Sequence, residues 1–188
     1  MWASSLNAGS GLAVPRVWLS LGSNLERESS LRGAIGALRR HYGELVLSPV
    51  YESRAVGCAG EPFLNLVVGC QTAESVADLR ACLRAIEDAA GRVRGPDKFA
   101  PRTLDIDLLT YGDAVGFIDG YQLPRDEILR YAFVLKPLAD VAGEESHPAT
   151  GRTYGELWRD FSGEALALEP RVLDLAGEPA NPVSPWIT

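Results

Sequence analysis

The chain has 188 residues, 46% hydrophobic and 23% charged, with a formal net charge of −7. That length suits one domain able to bury about 70% of its unfolded surface without disulfide or metal staples. The acidic balance excludes a general nucleic-acid or anionic-membrane binder, which would carry a basic face, so any anion site must be a local concentration of Arg and Lys. The three cysteines, Cys58, Cys70 and Cys82, lack metal-binding spacing and read as reduced thiols of a cytosolic protein. His41 and His147 are far apart in sequence and form no ligand motif. No apolar stretch reaches the roughly 20 residues that span a membrane.

Residues 1–16 are small and polar, lack the basic start and apolar core of a signal peptide, and are expected to form a flexible arm. Val17 to Leu21 reads as a buried strand, with Ser23 or Asn24 capping the helix that follows to about His41. Leu45 to Ser53 and Phe63 to Thr72 read as two further strands, separated by a loop at Gly57 to Pro62. Ser75 to Ala90 is an amphipathic helix with Val76, Leu79, Leu83 and Ile86 on one face, begun at Glu74 or Ser75 and ended by Gly91. Arg92 to Arg102 is a loop punctuated by Pro96 and Pro101. Leu104 to Tyr111 is a strand and Gly112-Asp113 a turn. Ile128 to Val141 contains Pro137, so its later part is expected to be a broken or restarted helix. Thr153 to Phe161 is a short helix, and the tail over 163–188 is expected to lie extended on the surface. The order β-α-β-β-α-β followed by helices indicates an α+β chain with a ferredoxin-like core: one antiparallel sheet flanked by helices, with additional C-terminal helices.

The most unusual chemistry lies between Gly91 and Gly112. Arg92, Arg94, Lys98 and Arg102 crowd against Asp105 and Asp107. A strand period of two puts both carboxylates on one face, with Cα atoms roughly 6.6–6.8 Å apart. Leu104, Ile106 and Leu108 would pack on the other face. Two carboxylates beside a core need a cationic partner, and either the nearby arginines or a divalent metal can supply it. Oxygen ligands without His or Cys favour Mg²⁺ over Zn²⁺. Such an ion keeps water and substrate phosphates in its shell, and the arginines suit those phosphates.

The run Arg92-Val-Arg94, Ala-Pro-Arg102-Thr-Leu-Asp105-Ile-Asp107-Leu-Leu resembles the signature of the 6-hydroxymethyl-7,8-dihydropterin pyrophosphokinases of folate biosynthesis. "LSLGSNL" (19–25), "PVYESRAVG" (49–57), "FLNLVV" (63–68) and "AFVLKPLADVA" (132–142) resemble other segments of that family, in order. The resemblance covers about residues 16–160. It implies an Mg-dependent transfer of pyrophosphate from ATP to the pterin hydroxymethyl, giving AMP, within a catalytic domain over 17–162. It implies two Mg²⁺ ions bound by Asp105 and Asp107, with Arg92 and Arg102 as catalytic cations. It assigns ATP to Glu87, Arg94, Lys98, Phe99, Arg125 and the backbone near Leu108. It assigns the pterin to Ser53, Val56, Phe63, Asn65 and Phe133, with the two phenylalanines stacking on the ring. From the residues alone, Phe63 and Phe133 also fit a plain core, and Glu87 a solvated helix face.

The chain departs from the family pattern at "LPRDEILRYAF" (123–133). Arg125, Asp126 and Tyr131 stand where the family commonly has His, an aromatic or Pro, and Arg. Phe99 stands where it usually has Trp. Arg125 is then expected as a phosphate contact. The implied protein is a cytoplasmic monomer acting on ATP and the dihydropterin, with no nucleic-acid or membrane partner. A catalytically weak pterin- or nucleotide-binding paralogue is the alternative.

Overall fold

The computed structural model describes residues 14–54, 61–91, 103–163 and 167–175. Strand β1 (Arg16–Ser23) leads into helix α1 (Arg27–Tyr42), followed by β2 (Val46–Leu47), β3 (Val50–Ser53) and β4 (Phe63–Gln71). Helix α2 (Val76–Ala89) then precedes β5 (Asp105–Tyr111). A hairpin of β6 (Gly116–Ile118) and β7 (Tyr121–Leu123) follows, then helices α3 (Glu127–Arg130), α4 (Ala132–Ala142) and α5 (Tyr154–Arg159), and strand β8 (Leu168–Arg171). Among the described residues, six strands form one antiparallel sheet in the order β5-β1-β4-β3-β8, with β2 also pairing β4. None of the described helices is long and apolar enough to cross a membrane.

Helices cover both faces of the sheet, which explains why β1 and β4 read as near-continuous apolar runs rather than alternating ones. On one face, Val17, Leu19, Leu21, Leu66 and Leu108 pack with Leu31 and Ile35 of α1 and Leu79 and Leu83 of α2. On the other, Trp18, Val67 and Leu109 pack with Val134, Leu135 and Leu138 of α4 and with Tyr154 and Leu157 of α5. Trp18 lies across Gly69, its register partner, where an added Cβ would come within 2.5 Å of the indole.

Several boundaries differ from the sequence expectation. The strand expected over 45–53 is interrupted at Ser48-Pro49. Ser48 Oγ accepts the Val67 N–H (2.8 Å) in place of a ladder carbonyl, and Pro49 has no N–H to continue the ladder. Neither Ser23 nor Asn24 caps α1. Glu26, with φ 45°, occupies that position, and the Ser23 hydroxyl is directed to the Leu25 and Thr103 carbonyls. The helical break falls at the extended Tyr131, between α3 and α4, while α4 runs through the buried Pro137. At α2 the expectation holds: Ser75 Oγ accepts the Asp78 N–H, and Gly91 takes φ 81° just beyond the C-cap. Over the described tail residues 167–175 the chain is fastened rather than simply laid on the surface: β8 pairs with β3, and Leu175 is buried in the core on the α1 side.

Candidate active site

Strand register assembles the site. Gly22 pairs with Asp105 on one side and Asn65 on the other, and Asn65 pairs in turn with Tyr51. Directly opposed residues of antiparallel strands share a face, so Asp105, Asn65 and Tyr51 all project towards the α4 side. Two strand spacings put the Asp105 and Asn65 backbones roughly 9.5 Å apart. Gly22 leaves the ground between them bare: a Cβ there would lie 3.4 Å from Asn65 Oδ1 and 3.8 Å from Phe63 Cδ1. The result is a flat floor edged by an amide oxygen, an aromatic ring and a carboxylate.

Asn65 is 5% exposed, and its amide is oriented from within the protein. Nδ2 donates to Ser53 Oγ at 2.9 Å, with longer contacts to the Tyr51 and Phe63 carbonyls. Oδ1 is thereby turned towards the Gly22 gap. Phe63, two residues before Asn65 on the same face, is half-buried. Phe133 lies in the first turn of α4 and stacks on Tyr131 at 5.1 Å with a 14° interplanar angle. A free-standing ring would lose more side-chain entropy on binding a flat ligand than this pre-stacked pair.

Asp105 and Asp107 are half-exposed and alternate with buried Ile106 and Leu108, as the period of two requires. Arg125 Nη2 lies 3.8 Å from Asp107 Oδ1 and 2.7 Å from Glu127 Oε1. Among the described residues, no three His, Cys, Asp or Glu side chains converge into a protein-only metal cage. A half-exposed carboxylate pair suits Mg²⁺, which keeps several ligand positions for water and phosphate.

Beside the pair, at the edge of β5 that no described strand pairs, is a cleft of about 220 Å³. Arg80, Arg84 and Glu87 of α2 and Tyr121 of β7 line it, with Asp105 and Asp107 and the main chain of Leu108. Glu87 is 4% exposed, not solvated: its Oε1 accepts the outward N–H of Ile106 at 2.8 Å. By the same period the Leu108 main-chain groups also face the open edge. Two guanidinium groups stand over the Tyr121 ring, Arg80 at 4.1 Å and Arg125 at 5.1 Å from its centroid. Burial, with the Asp107 charge, pushes the Tyr121 phenol above its ordinary pKa, so it stays neutral.

Of the residues expected at the site, Ser53, Phe63, Asn65 and Asp105 cluster at the Gly22 floor. Glu87, Asp107, Leu108 and Arg125 gather at the β5 edge. Phe133 is on α4. Val56, Arg92, Arg94, Lys98, Phe99 and Arg102 lie outside the described residues. Sequence reasoning missed Gly22 as the floor, Tyr131 as the stacking partner, and Arg80, Arg84 and Tyr121 as cleft residues. The helical spacing of Arg80, Arg84 and Glu87 was visible, but not what it faced.

The family model described as 7,8-dihydro-6-hydroxymethylpterin-pyrophosphokinase (HPPK) matches residues 18–143. The chain belongs to the HPPK family. It is 37% identical over 148 residues to the Pseudomonas aeruginosa 2-amino-4-hydroxy-6-hydroxymethyldihydropteridine pyrophosphokinase, covering 77% of this chain and 90% of the relative. It is 30% identical over 154 residues to the Bacillus subtilis protein of the same name, covering 78% and 92%. Among solved structures, wild-type Plasmodium falciparum HPPK-DHPS with pteroate shares the fold with a TM-score of 0.61 at 14% identity. That superposition covers 79% of this chain and 42% of the larger one. The HPPK match runs from β1 to just past α4 and leaves α5 and β8 outside it.

Proposed function

We propose that this chain transfers the pyrophosphoryl group of ATP to the hydroxymethyl oxygen of 6-hydroxymethyl-7,8-dihydropterin, giving AMP and the pterin diphosphate for folate biosynthesis. The observation that carries the reading is the row Asp105–Gly22–Asn65: a flat, amide-edged floor beside a carboxylate pair, with a cleft of about 220 Å³ adjoining it. The pterin would rest over Gly22, with Phe63 and Phe133 against its faces and Asn65 Oδ1 accepting from its edge. Ser53 fixes that amide's orientation.

Asp105 and Asp107 would hold two Mg²⁺ ions. Bound there with ATP, the metals supply charge neutralisation for the transferring group and the attacking and leaving oxygens. Arg125 would meet phosphate oxygens from the cleft side. Leu108 would offer main-chain groups to the base, and Glu87 would border the nucleotide in the cleft while holding β5 in place through Ile106. Arg92 and Arg102 would complete the cationic lining, with Arg94, Lys98 and Phe99 on the nucleotide side and Val56 on the pterin side. The strand order β5-β1-β4-β3 supports reading the core as ferredoxin-like. A cytoplasmic monomer completes the proposal.

The test is to incubate the protein with ATP, Mg²⁺ and the dihydropterin and to follow AMP. Pterin-dependent AMP release is expected. Folded protein that gives no AMP above background would overturn the reading in favour of a binding-only paralogue.

A further inference from the structure

Beyond the matched region, residues 168–175 are fastened to the rest of the molecule at five points. β8 pairs with β3 in the register Val50↔Arg171, Tyr51↔Pro170, Glu52↔Glu169 and Ser53↔Leu168. Arg171 Nη2 donates to Glu52 Oε1 at 2.7 Å. Further along, Arg32 Nε and Arg39 Nη1 of α1 donate to the carbonyls of Asp174 (2.9 Å) and Leu175 (2.8 Å). The Leu175 side chain is buried in the α1-side core.

Glu52 is the junction of this arrangement. Its second oxygen, Oε2, accepts from Arg27 Nη1 at 3.0 Å, and the same nitrogen donates to the Pro62 carbonyl at 2.9 Å. One carboxylate therefore joins β8, the start of α1 and β3, and Arg27 extends the link to the residue preceding β4. The strand period turns Glu52 to the α1 side, away from Tyr51 and Ser53. Those two residues supply the Ser53 hydroxyl and the Tyr51 carbonyl that orient the Asn65 amide. The ion pairs lie beneath the site floor and touch nothing that binds there.

We infer that Leu168–Leu175 is a strap that positions the pterin-reading edge of the site, acting through Glu52 on Ser53 and hence on Asn65. Glu52 and Arg171 are positioning residues. The inference rests on the proposed pterin reading of Asn65. It gives residues outside the HPPK match a part in substrate affinity: without the strap, β3 becomes an unsupported edge four residues long, and the Ser53–Asn65 contact loses its fixed geometry.

The experiment uses full-length protein with Arg171→Ala, Arg171→Lys and Glu52→Gln. Arg171→Ala and Glu52→Gln should raise the KM for the dihydropterin several-fold. The KM for ATP and the kcat at saturating pterin should stay within twofold. Arg171→Lys should restore pterin KM to near the unmodified value, and amide hydrogen exchange over 50–53 should accelerate only in the impaired variants. An unchanged pterin KM in Arg171→Ala, or unchanged exchange over 50–53, would overturn the strap alone. Parallel losses in pterin KM, ATP KM and melting temperature would reduce it to a general stability element and overturn it too. Absence of AMP from the unmodified chain would instead overturn the proposed function, and with it the strap's link to substrate.

Discussion

Gly22→Ala separates fold from site more cleanly than any carboxylate substitution. In the folded protein the new methyl would meet Asn65 Oδ1 at 3.4 Å and Phe63 Cδ1 at 3.8 Å, ordinary van der Waals contacts that require little movement. Replacing glycine within a strand by alanine removes unfolded-state entropy amounting to about 0.5–1 kcal/mol. The melting temperature should therefore hold or rise by about 1–4 °C for a chain of this size. The ligand meets a different situation. A heterocycle resting on the bare floor must shift by about a C–C bond length, roughly 1.5 Å, to clear the methyl. Misplacement on the order of 1 Å lowers turnover about a hundredfold, so kcat/KM for the dihydropterin should fall by about that factor, or roughly 2.7 kcal/mol of transition-state stabilisation. The KM for ATP should not move, since the cleft proposed for the nucleotide is at the far edge of β5. AMP release across a range of pterin concentrations, paired with thermal denaturation, measures both halves. A folded variant with kcat/KM within twofold of the parent would refute the placement of pterin over Gly22.

Asp105→Asn or Asp107→Asn should lower turnover at least about a hundredfold with an unchanged melting temperature; near-parental rates in either would remove that carboxylate from the metal site. Gly69→Ala drives a methyl to 2.5 Å from the Trp18 ring and should destabilise the protein by about 1–3 kcal/mol, read by denaturant titration. Glu87→Leu leaves the Ile106 N–H without its acceptor, which should cost about 1–3 kcal/mol and accelerate hydrogen exchange at Ile106. His147 is 2% exposed, and burial lowers its pKa below 6.5 while Nδ1 accepts from the Ala149 and Thr150 N–H groups. The unfolded chain thus binds the proton more readily. The contribution of His147 is fully present above about pH 6.5 and declines as pH falls through the lower folded-state value. Denaturation between pH 7 and 5 should show that loss, and His147→Gln should flatten it.

Much of this architecture was legible because its signals are local. Ser75 and Gly91 bracket α2 by cap chemistry alone, and the alternation of Asp105 and Asp107 with Ile106 and Leu108 places both carboxylates on one face. What escaped depended on partners distant in sequence. Pro49 was visible, but the break at Ser48 makes sense only once Val67 is seen to donate to the serine hydroxyl. Gly22 carried no site signal in the sequence because its two neighbours across the sheet, 43 and 83 positions away, are set by register. Glu87 looked like one more helix carboxylate until the β5 edge was placed against it. β8, the short run Leu168-Glu-Pro-Arg171, has too little β propensity to announce itself and exists because β3 offers an edge.

The β5 edge has a bearing on how such a protein stays in solution. An outermost strand as apolar as DIDLLTY, with open main-chain groups, is a template on which another chain could add a strand. Here the template is interrupted. The Glu87 carboxylate occupies the Ile106 N–H, and the Arg125 N–H occupies the Leu109 carbonyl at 2.9 Å. Between them, among the described residues, the stretch around Leu108 is too short to register a foreign strand. The same groups that shape the cleft at this edge also guard the sheet against polymerising through it.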